Sequence, residues 1–287
     1  MKKIKFILLT FLIFTCSACV NNKTIENSNI KVSIYPIEYI TNTLFGNHAT
    51  IESIYPDSMD DNYEISDKLL KDYSSANLFI FNGNDDKEND YVFKMFDNND
   101  NLKIIDATTS LTYNNKIEEL WLDPMNYLTM ANNIKKGFKE YTDIAYLNND
   151  IDSKYEELKV KLIELEADYN EMGNRANKKD IIVSDDLFLY LTKYGLNVIS
   201  LEKSNNYSKK SEYKAEELLK NKEVKYIYIK KGQELDSNIE ELKEKYNVNI
   251  IELNTLYTLS EDDRKNGKDY LSLMNENLQL LKQQLYN

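Results

Sequence analysis

Eight short apolar runs, set four and four around a long stretch that has none, constrain this chain more than any other feature. The runs are KVSIY (31–35), TIESIY (50–55), NLFIFN (77–82) and LKIIDA (102–107), then DIIVS (180–184), NVISLE (197–202), VKYIYIK (224–230) and NVNIIEL (247–253). Their lengths and their content of Ile, Val, Tyr and Phe predict strands. Helix-like stretches lie between most of them, and strands that alternate with helices call for parallel sheets covered on both faces. The middle stretch carries Ile151, Tyr155, Leu158, Leu162, Leu165 and Tyr169 at steps of four and three, a single apolar stripe with Lys and Glu on the other faces. That spacing predicts one unbroken helix of about 25 residues, with Gly173 and Asn174 as its stop. The fold class that follows is α/β in two lobes, each a roughly four-stranded parallel sheet flanked by helices, joined by one long connector helix. The boundaries read as an N-terminal lobe over 31–147, the connector over 148–177 and a C-terminal lobe over 178–287.

What precedes the first strand reads as an export segment. A basic start, MKK, leads into FILLTFLIF, which is too short to span a bilayer as a mature helix, and CSAC places a small residue before Cys19. Residues 1–19 are thus expected to be a signal peptide and 20–30, polar and aperiodic, a flexible tether. Lipidation at Cys19 and ordinary cleavage with an incidental cysteine both fit that ending. The chain has 2 cysteines, and both lie in this segment, so the exported body has no thiolate and no disulfide and depends on its core. With a formal charge of −12 it repels a phosphate backbone, and nucleic acid is not an expected partner.

The same inventory argues against an enzyme. The chain has 1 histidine, His48, between a helix and a strand, where a solvated turn residue is expected. Serine and cysteine triads therefore lack a base or a nucleophile. The glycines are too scattered for a phosphate-cradling loop. Paired carboxylates such as Glu119 and Asp185 remain as acid–base candidates, although polar residues at strand ends are the commoner explanation. Ligands of parallel sheets sit beyond the carboxyl ends of the strands. Those ends hold Tyr35, the acidic loop 57–64, Asn82, Asp106, Asp185 with Asp186, Glu202, Lys230 and Asn254. Among 22 tyrosines, Tyr35, Tyr63 and Tyr257 are placed to line a cleft for an organic ligand, or simply to cap the core edge with the hydroxyl wet.

Several segments resemble one family. VSIYPIEYI is similar to its first strand and turn, YPDSMDDNYEIS to its loop of form P-x-x-x-D-P-H-x-Y-E, and ELWLDPMNYLTMANNI to its H-V-W-L-D-P helix start. VSDDLFLYLTKYGL is similar to S-H-D-A-F-x-Y-L-x-x-x-Y-G-L, and GKDYLSLMNENLQLLKQQL to the closing helix. The family is the zinc- and manganese-binding substrate-binding lipoproteins of bacterial ABC importers, and the likeness runs over almost all of 31–287. It implies a receptor anchored by a lipid on Cys19 to the outer face of the cell membrane. Such a receptor captures a ligand between its lobes and serves a permease and its ATPase.

The family's metal ligands fall here on Asn62, Glu119, Asp185 and Asn254, with Asp61, Asp186 and Lys230 around them. No family histidine is present at these positions. An oxygen-only set of two carboxylates and two amides suits manganese, magnesium or calcium better than zinc, so one divalent cation is the implied ligand, with Mn²⁺ favoured over Zn²⁺. The other reading is a scaffold that has given up metal, for a non-metal ligand or a surface interaction. In that case Lys230 replaces the cation by pairing with Glu119 or Asp185.

Overall fold

A computed structural model describes residues 24–57, 63–203 and 209–286. The signal segment with Cys19, and Asp60, Asp61 and Asn62 of the acidic loop, lie outside the described residues. The order is β1 (Asn29–Val32), α1 (Tyr35–Phe45), β2 (Thr50–Ser53), α2 (Asp67–Tyr73), β3 (Leu78–Phe81), α3 (Asp86–Asn98) and β4 (Lys103–Asp106). Then come α4 (Glu119–Leu122), α5 (Pro124–Glu140), α6 (Ala145–Arg175) and β5 (Asp180–Val183). A 3-10 helix (Asp186–Tyr194), β6 (Asn197–Ser200), α7 (Lys209–Lys220), β7 (Tyr226–Lys230), α8 (Ser237–Tyr246), β8 (Asn249–Leu253), α9 (Glu261–Lys265) and α10 (Tyr270–Leu285) complete it.

Seven of the eight predicted runs contain a strand, and the first overlaps one, since β1 begins at Asn29, two residues ahead of its run. The sheets have orders β2-β1-β3-β4 and β6-β5-β7-β8, and every pairing is parallel. β1 ends earlier than its run predicts, because Pro36 fixes the start of α1 and draws Tyr35 into the helix. Polar caps set most helix starts. Ser66, Asp85, Asp123, Asp236 and Ser260 each accept backbone N–H groups of the first turn, and Asp269 with Ser272 forms a reciprocal capping box at α10.

The predicted stripe is buried along α6 from Ile151 to Tyr169. The helix does not stop at Gly173. It runs on to Arg175, and Gly173 is where α6 lies against the backbone of Tyr194, at the end of the 3-10 helix. Glycine serves here for close approach rather than as a terminator. One apolar core runs through both halves along α6 and α10, and a second, smaller one lies under α7 and α8. Among the described residues no helix is long and apolar enough to cross a membrane.

His48 is not the solvated turn residue expected. Its ring is half-buried against Phe45, and Nε2 lies 2.7 Å from Asp150 Oδ2 on α6. The long helix, passing over the turn, supplies a partner 102 residues away that local sequence cannot show.

Candidate functional site

Strand order reverses between β1 and β3 in one sheet and between β5 and β7 in the other, the places where such sheets hold ligands. The segments leaving the two edges meet across a cleft of about 570 Å³, lined by Tyr55, Tyr63, Asp85 and Glu118 from the first half and by Lys230 and Tyr257 from the second. This volume lies in the usual range of small-molecule sites. Tyr55 anchors its aromatic wall, with ring centroids 6.3 Å from Tyr63 and 6.2 Å from Tyr257, while Tyr257 stands 5.8 Å from the buried Trp121. Burial pushes the Tyr55 and Tyr257 phenols well up, so they are neutral hydroxyls. Tyr35 stands apart, in a small hollow with Glu38 and Arg264. Tyr55 was the aromatic that sequence reasoning passed over; its place just before Pro56, at a strand end, was the available signal.

Three of the four positions that the family pattern assigns to metal are described, and each is engaged by the protein itself. Glu119 faces its own loop. Its carboxylate accepts from the N–H of Asn114 at 2.9 Å, the N–H of Asn115 at 3.2 Å and the Asn115 side-chain amide at 2.7 Å. It lines a separate hollow of about 220 Å³ beside Asn126 and Lys193. The preceding residue, Glu118, is the carboxylate that lines the cleft. Burial raises the Glu118 carboxyl, repulsion from Asp185 adds to this, and Lys230 and Lys116 oppose it.

Asp185, at the end of β5, caps the 3-10 helix by accepting from Leu187 N–H at 2.9 Å and pairs with Lys230 Nζ at 3.0 Å. Burial works against its charge, but the Leu187 N–H and the Lys230 ammonium outweigh it and hold the carboxyl below its ordinary range. The adjacent Asp186 donates its backbone N–H to Glu202 at 2.7 Å, and the other Glu202 oxygen accepts Lys116 Nζ at 2.7 Å. Asn254 is spent on a turn. Its Oδ1 accepts from Leu256 N–H at 2.7 Å, and Asn277 brackets its backbone at 2.8 Å on both sides. Leu256 has φ of 58°, a left-handed value that a branched side chain adopts at a cost of about 1 kcal/mol, and the Asn254 carboxamide holds it there. Among the described residues, no three Asp, Glu, His or Cys side chains are grouped to hold a metal ion. With Lys230 on Asp185 and with Glu119 and Asn254 turned to their own backbone, the described residues are not grouped to hold a divalent cation.

The cleft's floor is stitched. Tyr35 N–H donates to Tyr257 C=O at 3.1 Å and Trp121 Nε1 to Thr255 C=O at 2.8 Å. Arg264 of α9 reaches across to Glu38 at 2.9 Å and to Asp57 at 2.7 Å. Removing that fork in Arg264→Ala is expected to cost about 1 kcal/mol at low salt and much less at 1 M salt, because the guanidinium is partly exposed and screened. Chemical denaturation at the two ionic strengths measures it, and equal stability of parent and variant at low salt would remove the fork from the forces that join the halves.

A profile of the family described as zinc-uptake complex component A, periplasmic, matches residues 30–284. The zinc-binding lipoprotein AdcA of Streptococcus pneumoniae is 26% identical over 99% of this chain and 61% of the relative, so the chain spans less than two thirds of that protein. The high-affinity zinc uptake system protein ZnuA of Bacillus subtilis is 33% identical over 44% of this chain and 40% of its own length. In structure, the Zn(II)-bound ZnuA-like domain of S. pneumoniae AdcA superposes with a TM-score of 0.73 at 24% identity, covering 91% of this chain and 100% of the domain, and shares the fold. These names speak of zinc, and the expected preference for manganese finds no support among them. With the profile spanning both sheets and the helix between them, the chain belongs to the zinc-uptake component A family of substrate-binding proteins.

Proposed function

We propose that the chain is the extracytoplasmic receptor of an ABC importer, anchored through a lipid on Cys19, which captures its cargo in the cleft between the lobes and delivers it to a permease driven by an ATPase. The lobe boundaries given by the sequence, 31–147 and 178–287 around a 148–177 connector, belong to the same proposal. The observation that carries it is the position of the cleft, at the reversal points of both sheets, in a chain matched to the family over 30–284. Among the described residues nothing in the cleft supplies a nucleophile with its base, and the reading is a binding protein rather than an enzyme.

Divalent metal is the cargo class, with zinc favoured by the relatives' names. The other reading, a scaffold turned to a non-metal ligand or a surface partner, has one specific observation in its favour: the Lys230 ammonium on Asp185. Uptake tests the choice. In cells lacking other zinc receptors and starved by a chelator, loss of this chain is expected to lower zinc accumulation several-fold, and Cys19→Ala to release the protein into the medium. Unchanged accumulation of zinc and manganese in such cells would end the metal-importer reading.

A further inference from the structure

Lys230 and Asp185 leave the ends of neighbouring strands, β7 and β5, which pair in parallel at the reversal point of the second sheet. Their contact is built rather than incidental. Ser184 Oγ donates to Gln233 Oε1 at 2.7 Å, the same oxygen accepts the Lys230 backbone N–H at 3.2 Å, and Gln233 N–H returns to Lys230 C=O at 3.0 Å. This small network fixes the backbone from which the lysine stem departs. Gly232 turns the chain there with φ of 78°. Asp185 is 7% exposed, so the ammonium neutralises a carboxylate that water scarcely reaches.

The same cleft is lined by Asp85, Lys87 and Glu234; Asp85 caps α3 by accepting the N–H groups of Lys87 and Glu88, and the Lys87 ammonium donates to the carbonyl of Tyr63. Lys116 is held by Glu202 at 2.7 Å, and Lys231, which also lines the cleft, is held by Asp263 at 2.7 Å. Glu118 faces the cleft from the first half, close enough to Asp185, Lys230 and Lys116 for each to act on its charge. Lys230 thus lies before Asp185 and Glu118, two carboxylates that a doubly charged ion would match.

We propose that Lys230 is a tethered competitor for the cation position of the cleft: its ammonium occupies Asp185, and a divalent ion binds only by displacing it, meeting Asp185 and Glu118 as its carboxylates. The inference rests on the receptor reading given above. A tethered group competes at a high effective concentration, and the apparent affinity falls by the fraction of molecules in which it is displaced. Lys230 thereby sets how scarce an ion the protein can hold.

The test is Zn²⁺ and Mn²⁺ binding by the full chain and its variants, read by chelator competition and by metal-dependent rise in melting temperature. Lys230→Met is expected to bind at least about tenfold tighter than the parent. Adding Asp185→Asn should abolish that gain, and Glu118→Gln should remove most of it. Lys231→Met changes the cleft's charge equally but frees no cleft carboxylate, and is expected to shift affinity less than about threefold. Should Lys230→Met fail to fold, Lys230→Gln keeps a donor for Asp185 without the charge and is expected to show the same direction.

Equal affinity in parent and Lys230→Met, or an equal gain in Lys231→Met, overturns the competitor role and leaves the receptor reading standing. Absence of metal binding in parent and both Lys230 variants overturns the competitor role and also takes metal out of the receptor reading.

Discussion

A Gly173→Ala chain is expected to melt roughly 5 to 10 °C below the parent, with an intact but weaker cooperative transition. Alanine is worth about 1 kcal/mol more than glycine inside a helix, so propensity alone predicts stabilisation. Sterics oppose it. A methyl group on Gly173 would overlap the carbonyl oxygen of Tyr194, a backbone atom that no rotamer change can move aside. Forcing α6 off the 3-10 helix costs about 3 kcal/mol or more, and the net loss is about 2 to 3 kcal/mol. Calorimetry decides: a melting temperature equal to or above the parent's would mean that helix and carbonyl do not touch as described.

The second large effect concerns pH. Glu88 of α3 is fully buried, and one oxygen accepts the N–H of Asn82 at 2.7 Å. Burial pushes its carboxyl up to about 8, with the nearby Asp85 adding to the rise and the Asn82 N–H and the Ser33 hydroxyl opposing it. The sign follows from linkage. A raised folded value means that stability is fully present below the unfolded value near pH 4.5 and is lost as pH climbs to about 8. The loss is on the order of 5 kcal/mol when complete. Glu88→Gln carries no proton to lose. It is expected to match the parent near pH 5 and to exceed it by several kcal/mol at pH 9, read from urea midpoints at the two values. A parent and a variant that weaken in parallel between those points would show that Glu88 is ionised in the fold.

Sequence showed the framework because burial writes itself into local pattern. Eight strand runs and the stripe from Ile151 to Tyr169 each require only neighbours within a few residues; the stripe and seven strands lie where they were expected, and β1 lies two residues earlier. The cleft was harder to read for a reason visible at one residue. Glu119 matches the family position in register, yet three donors from 114 and 115 turn it into its own loop, and Glu118 is left to face the cleft. A motif aligns backbone positions; it does not say where the nearest unpaired donor lies. His48 repeats the lesson, since Asp150 comes to it only once α6 has crossed the turn. Lys230 reaches Asp185 and not Glu119 because the strand pairing of β5 and β7 puts their ends side by side.

The last helix of the chain bears on the order in which the molecule can assemble. Tyr270 of α10 stacks on Tyr127 at 3.8 Å, and its hydroxyl donates to the carbonyl of Trp121, 149 residues earlier. Tyr169 donates to Met274, and the carbonyl of Leu285 receives the N–H groups of Asn177 and Lys178 at the entry to β5. These tyrosines and Trp121 are central to the core, so an emerging chain that lacks its final residues leaves large aromatic surface exposed in both halves. Contacts of such long sequence separation form slowly and late. The nascent fold therefore stays incomplete until α10 has been made, and truncation within α10 does damage far from where it falls.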